Sequence, residues 1–435
     1  MTLRRRGAAR RHIASVLVRI VRSATSPSMT IALARLLGIE SLRGRDTLSV
    51  AERRSILVLR SDGIGDVIMT GPFLRELRRT APDARITLVV APRSLNFVEM
   101  CPYVDHVLSV EIPPPKTSVE TWWRPLSRRA AAISVARRHF RRKGYDLALV
   151  PRWGVDHHEA SVLAYLSGAA ERVGYSEHVS SQREKRNQGY DRFFTLLIHD
   201  RSVKHEVERN LGLLSALQVK PSDGALESWL SSGDTEFANR VLASGGAAPI
   251  VAIGPGAGSS TRMWPINRFV EVGRWVKDRG GSLVVVGGAG DEPLGEELGR
   301  SVGGRVLDLT NKATLRETTA VLKRCSMFCG NDTGPMHLAA AAGIPVLEVS
   351  CHPRGGDDLH PNSPRRFAPW GVPHRILQPE QPADGCNAGC RASAPHCILN
   401  VPVAAVIHEM GSLLEERYVG GTNASSSSEA GSPDS

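Results

Sequence analysis

Two short stretches carry residue types that can do chemistry on a phosphorylated ligand. The first is Arg60-Ser61-Asp62-Gly63-Ile64-Gly65-Asp66, which follows the apolar run Ile56 to Leu59. The second is Gly330-Asn331-Asp332-Thr333-Gly334-Pro335-Met336-His337, which follows Ser326 to Cys329 and leads into small residues up to Gly343. Each reads as strand, glycine turn, helix. That is where α/β sheets hold ligands, because glycine lets the backbone come close and a helix start offers unbonded N–H groups to an anion. The first stretch carries the carboxylates Asp62 and Asp66, and the second, with Asp332 and His337, is a candidate ligand position. Each also has a plain alternative: a helix cap for Asp66, a turn for Asp332 and a packed helix residue for His337.

A third stretch, Gly254-Pro-Gly256-Ala-Gly258, follows the apolar strand Pro249 to Ile253. Glycine alone is a weak signal in a chain with 41 of them. Arg262, with Met263-Trp264-Pro265 behind it, adds a cation next to the exposed N–H groups, and a diphosphate uses both kinds of donor. A further strand, Ser282 to Val286, ends in Gly287-Gly-Ala-Gly-Asp291-Glu292. Neither a P-loop ending nor a complete Gly-x-Gly-x-x-Gly follows the first strand, which argues against a simple nucleotide triphosphatase or dehydrogenase.

The elements that position these stretches are alternating strands and helices in two runs. In the first run the spacing predicts strands over Ile56–Leu59, Arg85–Ala91, His106–Val110 and Tyr145–Val150, and helices after Pro72 and over Pro125–Lys143. A Pro, Ser and Gly-containing pause over Val219–Gly233 marks the boundary, and the cycle then restarts. The expected organisation is an extension over 1–54, an N-terminal domain over 55–225, a C-terminal domain over 226–418 and a disordered Gly/Ser-rich tail over 419–435.

The net charge of +11 is concentrated at the start, where residues 1–54 hold twelve arginines against Glu40, Asp46 and Glu52. The rest is nearly neutral, so nucleic acid is not an expected partner. The extension is basic and interrupted by Arg19, Arg22 and Arg35, which suits an anionic membrane surface, or else disorder, better than a cleavable leader or a spanning helix. The helix after Arg124 holds eight basic residues up to Lys143 and no acid, a solvated face or one turned to an anionic acceptor or lipid. Seven scattered cysteines fit a reducing cytoplasm. Cys386, Cys390, His396 and Cys397 are close enough in sequence to bind zinc but are spaced unlike a zinc knuckle, so a local structural role, reduced or bridged, is expected ahead of a metal, and no cofactor is expected.

Ser61 to Gly71, the Pro-Gly-Ala and Arg262-Met-Trp-Pro265 elements, and Asn331 to His337 together resemble glycosyltransferase family 9, whose best-known members are ADP-heptose:lipopolysaccharide heptosyltransferases. The resemblance covers Ser55 to Tyr418. It implies an α/β fold of GT-B type, two Rossmann-like doubly wound domains facing a central cleft, with acceptor on the first and nucleotide sugar on the second. It implies inverting transfer of a heptose or related sugar from an ADP-linked donor to a lipopolysaccharide core or similar glycolipid, at the inner face of the cytoplasmic membrane. Residue by residue, Asp66 takes the place of the base. Gly256, Arg262, Asp291 or Glu292, Asp332, Thr333, Gly334 and His337 take those of donor contacts, and Asp62, Gly63 and Gly65 flank the acceptor. Arg262 stands where the heptosyltransferases carry Lys. His205-Glu206-Val207-Glu208-Arg209-Asn210 resembles an element late in the acceptor domain, without an assigned role. The alternatives are a binding or scaffold protein of the same fold without turnover, and a transferase of a different nucleotide sugar.

Overall fold

The computed structural model describes residues 24–36, 49–112, 124–140, 143–243, 249–384, 386 and 393–425. The chain divides into two compact units, Met1–Ser202 with Val207–Gly224, and Val203–Glu206 with Ala225–Ser435.

In the first unit, six strands form one sheet: β1 (Ser55–Arg60), β2 (Arg85–Val90), β3 (His106–Ser109), β4 (Leu147–Val150), β5 (Glu171–Tyr175) and β6 (Leu196–Ile198). They lie in the order β3-β2-β1-β4-β5-β6, every pair parallel. β1 is apolar between its ends because it is covered on both faces, as a central parallel strand must be. The helix Gly71–Thr80 shows the matching logic. It buries Phe73, Leu74 and Leu77 at helical spacing, starts with Pro72 in its first turn and ends on Arg78 and Arg79, which suit the negative end of its dipole.

The second unit repeats the plan with β7 (Ile250–Gly254), β8 (Ser282–Val285), β9 (Val306–Asp308), β10 (Met327–Asn331), β11 (Val346–Val349) and β12 (His374–Leu377). Their order is β12-β11-β10-β7-β8-β9, again all parallel. Counted within its own unit, each sheet runs 3-2-1-4-5-6, the order whose direction reverses between its first and fourth strands. Val251, Ile253, Phe269, Met327 and Leu347 form the core on one face, closed by Val406, Met410 and Leu413 of the helix Val403–Ser425.

Several sequence expectations change here. The helix Pro27–Leu36 is no detached extension: Ala34 lies in the first core, and Thr25 O accepts from Arg129 at 3.1 Å. Arg53, also inside 1–54, pairs with Glu171 of β5. The last helix continues through Ser425, past Tyr418, where glycine and serine content predicts disorder. In the basic helix, Arg124–His139, Arg128 and Arg129 turn inward to the buried Glu159 at 3.2 and 3.4 Å, leaving Arg137 and Arg138 exposed. Residues 1–23, 37–48 and 426–435 and Cys390 lie outside the described residues.

Candidate functional site

At the reversal point of the first sheet, β1 and β4 end side by side, and a chain of alternating charges joins the loops that follow them. Arg60, the last residue of β1, is fully buried. Its Nη2 donates to Asp66 Oδ1 at 3.0 Å, its Nε lies 3.4 Å from Asp62 Oδ2, and its Nη1 donates to Pro151 O beyond β4. Asp62 Oδ1 meets Arg152. Burial works to raise the Asp62 pKa, but Arg152 and Arg60 outweigh it and hold the carboxylate at about 2. Burial, then the cation of Arg152, lowers His157 to about 4, and burial also depresses His158, so neither adds positive charge near neutral pH.

Asp66 is set differently. Its second oxygen accepts from Gly63 N at 3.2 Å, and about a quarter of its side chain reaches solvent. A carboxylate that accepts from a guanidinium and an amide and is open at its rim can chemically receive a proton. Asp62, Gly63 and Gly65, expected at the acceptor, have visible internal work. Asp62 balances two arginines, Gly63 gives its N–H to Asp66, and Gly65 O accepts from Met69 N at 2.9 Å within the helix Ile64–Ile68. Sequence reasoning did not single out Arg60 and Arg152. The available signal was a charged residue closing an otherwise apolar strand.

In the second unit the reversal point lies between β7 and β10, which pair Gly254 with Gly330. A Cβ on Gly330 would meet Gly254 O at 2.5 Å, so these strand ends tolerate no side chain there. Asn331, wholly buried, fastens the two following loops together. Its Nδ2 donates to Pro255 O at 2.8 Å and Gly256 O at 3.2 Å, and its Oδ1 accepts from Trp264 N at 3.1 Å. The result is one site built from two motifs. Arg262, in the turn Ser260–Arg262, donates from Nη1 to Asp332 O at 3.2 Å, with Asp332 Oδ2 at 3.6 Å. The guanidinium remains a quarter exposed.

Thr333 is the extended N-cap of the helix Gly334–Ala341, whose early N–H groups are available to an anion. His337 is buried one turn in. Burial, with His205 and Arg262 adding to it, lowers its pKa to about 3, so it is a neutral imidazole whose Nδ1 has no hydrogen-bond partner. Asp291 lies against the glycines. Its Oδ2 accepts from Gly288 N at 2.9 Å, a Cβ on Gly256 would overlap its carboxylate, and burial raises its pKa. Glu292 instead accepts from Gly290 N at 2.6 Å and Asn311 Nδ2 at 2.7 Å. Of the two acids left open by the sequence, Asp291 is the one beside Gly256.

Two further features bear on these loops. Of the element His205 to Asn210, His205 and Glu206 group with the second unit, while Val207 to Asn210 lie late in the first. His205 stacks on Trp370 at 4.4 Å, and Glu206 receives Arg366 Nη2 at 2.6 Å in a buried pair. Glu348 of β11, opposite Gly330 in register, is buried. Burial and then the charge of Asp332 push its pKa well above the usual range, and its Oε2 has no hydrogen-bond partner. An acid with a raised folded pKa contributes its full stability below the unfolded value and loses it as pH rises toward the folded one. Glu348→Gln should therefore gain on the parent above about pH 4.5, by about 1.4 kcal/mol per pH unit until Glu348 ionises. Paired urea melts from pH 5 to 8 measure this, and a gap that does not widen with pH refutes it.

Two parallel sheets of this order, each with glycine-containing loops at its reversal point, make a GT-B type fold. A family model described as glycosyltransferase family 9 (heptosyltransferase) matches residues 133–353, and the chain belongs to that family. It is 21% identical over 374 residues to the lipopolysaccharide heptosyltransferase 2 of Salmonella typhimurium, covering 84% of this chain and 99% of that one. In fold it is similar to a family 9 glycosyl transferase from Veillonella parvula, with TM-score 0.67, 21% identity and coverage of 85% and 98%. It is also similar to an E. coli heptosyltransferase solved with ADP, with TM-score 0.58, 18% identity and coverage of 82% and 99%.

Proposed function

We propose that the protein is an inverting glycosyltransferase that moves a heptose or related sugar from an ADP-linked donor to a lipopolysaccharide core or similar glycolipid. The observation carrying this reading is the fusion of the Gly254–Trp264 and Asp332–His337 stretches by Asn331, which puts helix N–H groups, Arg262 and a neutral imidazole around one place. That donor set suits a nucleoside diphosphate, and the relatives' names supply the heptose, the ADP and the lipopolysaccharide. Asp66 takes the proton of the acceptor hydroxyl as its oxygen bonds to the anomeric carbon. The nucleoside diphosphate leaves on the opposite face, its charge met by Arg262 and the Gly334–Ala341 helix start. One displacement of this kind inverts the anomeric centre.

The test is to incubate purified protein with ADP-heptose, other nucleotide sugars and deacylated core oligosaccharide, and to follow nucleoside diphosphate release and the product anomer. Release from ADP-heptose that requires the oligosaccharide supports the reading; release from none of the donors overturns it, and a retained anomer removes the single displacement.

Seven arginines and no acid in residues 1–23 support a peripheral place on anionic membrane at the cytoplasmic face. Among the described residues no helix is long and apolar enough to cross a membrane. A basic residue near such a surface is worth about 1 kcal/mol, so deleting 1–23 should lower binding to anionic liposomes by more than about tenfold. The deletion stops before Thr25, whose carbonyl holds Arg129. Transfer to a soluble acceptor should persist, and unchanged liposome binding refutes the surface role.

A further inference from the structure

Among the described residues, one group of three soft side chains comes together in the segment before the last helix: Cys386, His396 and Cys397. One ligand atom from each lies within 4.8 Å of the others, and Cys386 Sγ is 3.9 Å from His396 Nε2. A tetrahedral zinc ion, with Zn–S about 2.3 Å and Zn–N about 2.0–2.1 Å, sets neighbouring ligand atoms about 3.5–3.8 Å apart. The protein spacing is close to that already, and neither cysteine is in a disulfide. Two thiols and an imidazole select a zinc-class ion over the hard, oxygen-seeking calcium or magnesium. The sequence spacing argued against a zinc knuckle, but convergence in space is what an ion requires.

We propose that Cys386, His396 and Cys397 bind a zinc-class divalent ion that clips the segment before the last helix. The two thiols lose their protons on binding, and the imidazole coordinates in its neutral form. The clip has a mechanical consequence, because backbone carbonyls of this segment receive side chains from the stretch around Arg262. Ser393 O accepts from Ser260 Oγ at 3.0 Å, Val401 O accepts from Trp264 Nε1 at 3.1 Å, and Leu399 O accepts from Arg268 Nη1 at 2.8 Å. An ion holding His396 and Cys397 fixes the acceptors on either side of them. Metal binding is independent of the donor reading; any effect on donor affinity rests on it.

The test uses the full chain, incubated with zinc and desalted, with metal content measured by mass spectrometry. The expected result is one ion per chain, lost in Cys386→Ser and in His396→Asn. Both positions are partly exposed, so the fold should survive, and circular dichroism checks that it does. Cobalt substitution should give a thiolate-to-metal charge-transfer band and strong tetrahedral visible absorption, both absent from the variants. A wild-type chain holding no stoichiometric ion overturns the site, as does equal retention in both variants or a Cys386–Cys397 disulfide in non-reducing peptide maps. Hydrogen exchange at 393–401 should quicken after chelation. Unchanged exchange overturns the clip, and neither readout depends on turnover or on a sugar donor.

Discussion

Asp66→Asn is expected to lower kcat by about 10²–10⁴-fold, the usual worth of a general base, while donor affinity stays within about twofold. The substitution removes the proton acceptor and exchanges one of its two acceptor oxygens for an NH2 donor. An asparagine Oδ1 can still accept from Arg60 Nη2 or from Gly63 N, the two bonds that orient the native carboxylate. Arg60 keeps Asp62 and Pro151 O, so its buried charge is not stranded, and the penalty that accompanies breaking a buried pair is largely avoided. The donor loops are in the other unit and are untouched. Donor binding by calorimetry and turnover by diphosphate release separate the two effects. A variant with undiminished kcat would remove Asp66 from the base position, whereas one that unfolds would show instead that the Arg60 cluster depends on its charge. Asp62→Asn gives the contrast: its carboxylate is buried between Arg60 and Arg152, so its loss should cost stability first.

The sequence disclosed the two-array plan because central parallel strands write themselves as uninterrupted apolar runs. Ile56 to Leu59, Leu147 to Val150 and Ile250 to Ile253 are of that kind. The strands it did not disclose lack such runs. β5 opens on Glu171-Arg172 and contains Gly174, a position where a side chain would overlap the Phe194 ring. β6 and β9 have three residues each, and β12 carries His374-Arg375. At the candidate site, glycine, aspartate and arginine types were legible because loops at strand ends need them. Pairings over long separations were not, since nothing in local spacing says that Asn331 reaches Pro255, that Arg152 answers Asp62, or that Glu206 finds Arg366. His205 shows the same limit at the level of domains: four residues, Val203–Glu206, cross to the second unit and return, too short a piece for any composition shift to mark. Ala34 shows it for the terminus, where a basic average concealed one helix with a core-facing residue.

Arg262→Ala should weaken donor binding by about 10–150-fold, the equivalent of one charge-assisted hydrogen bond of about 1.5–3 kcal/mol. Two effects act in the same direction. The diphosphate loses a partly exposed cation, and Asp332 loses a neutralising neighbour 3.6 Å away beside the same phosphates. The fall in kcat should be at least as large in free energy, because the leaving diphosphate gains charge in the transition state and the cation answers that charge. Arg262→Lys separates charge from shape. A lysine ammonium restores the positive charge but cannot donate in two directions from a rigid plane, so it should recover most of the donor affinity and leave the bond to Asp332 O weakened. Calorimetry with ADP alone then isolates the phosphate contribution from that of the sugar. Equal ADP affinity in parent and alanine variant would move the phosphate site off the Gly254–Trp264 loop. Recovery by lysine would show that this position requires a charge rather than a planar fork.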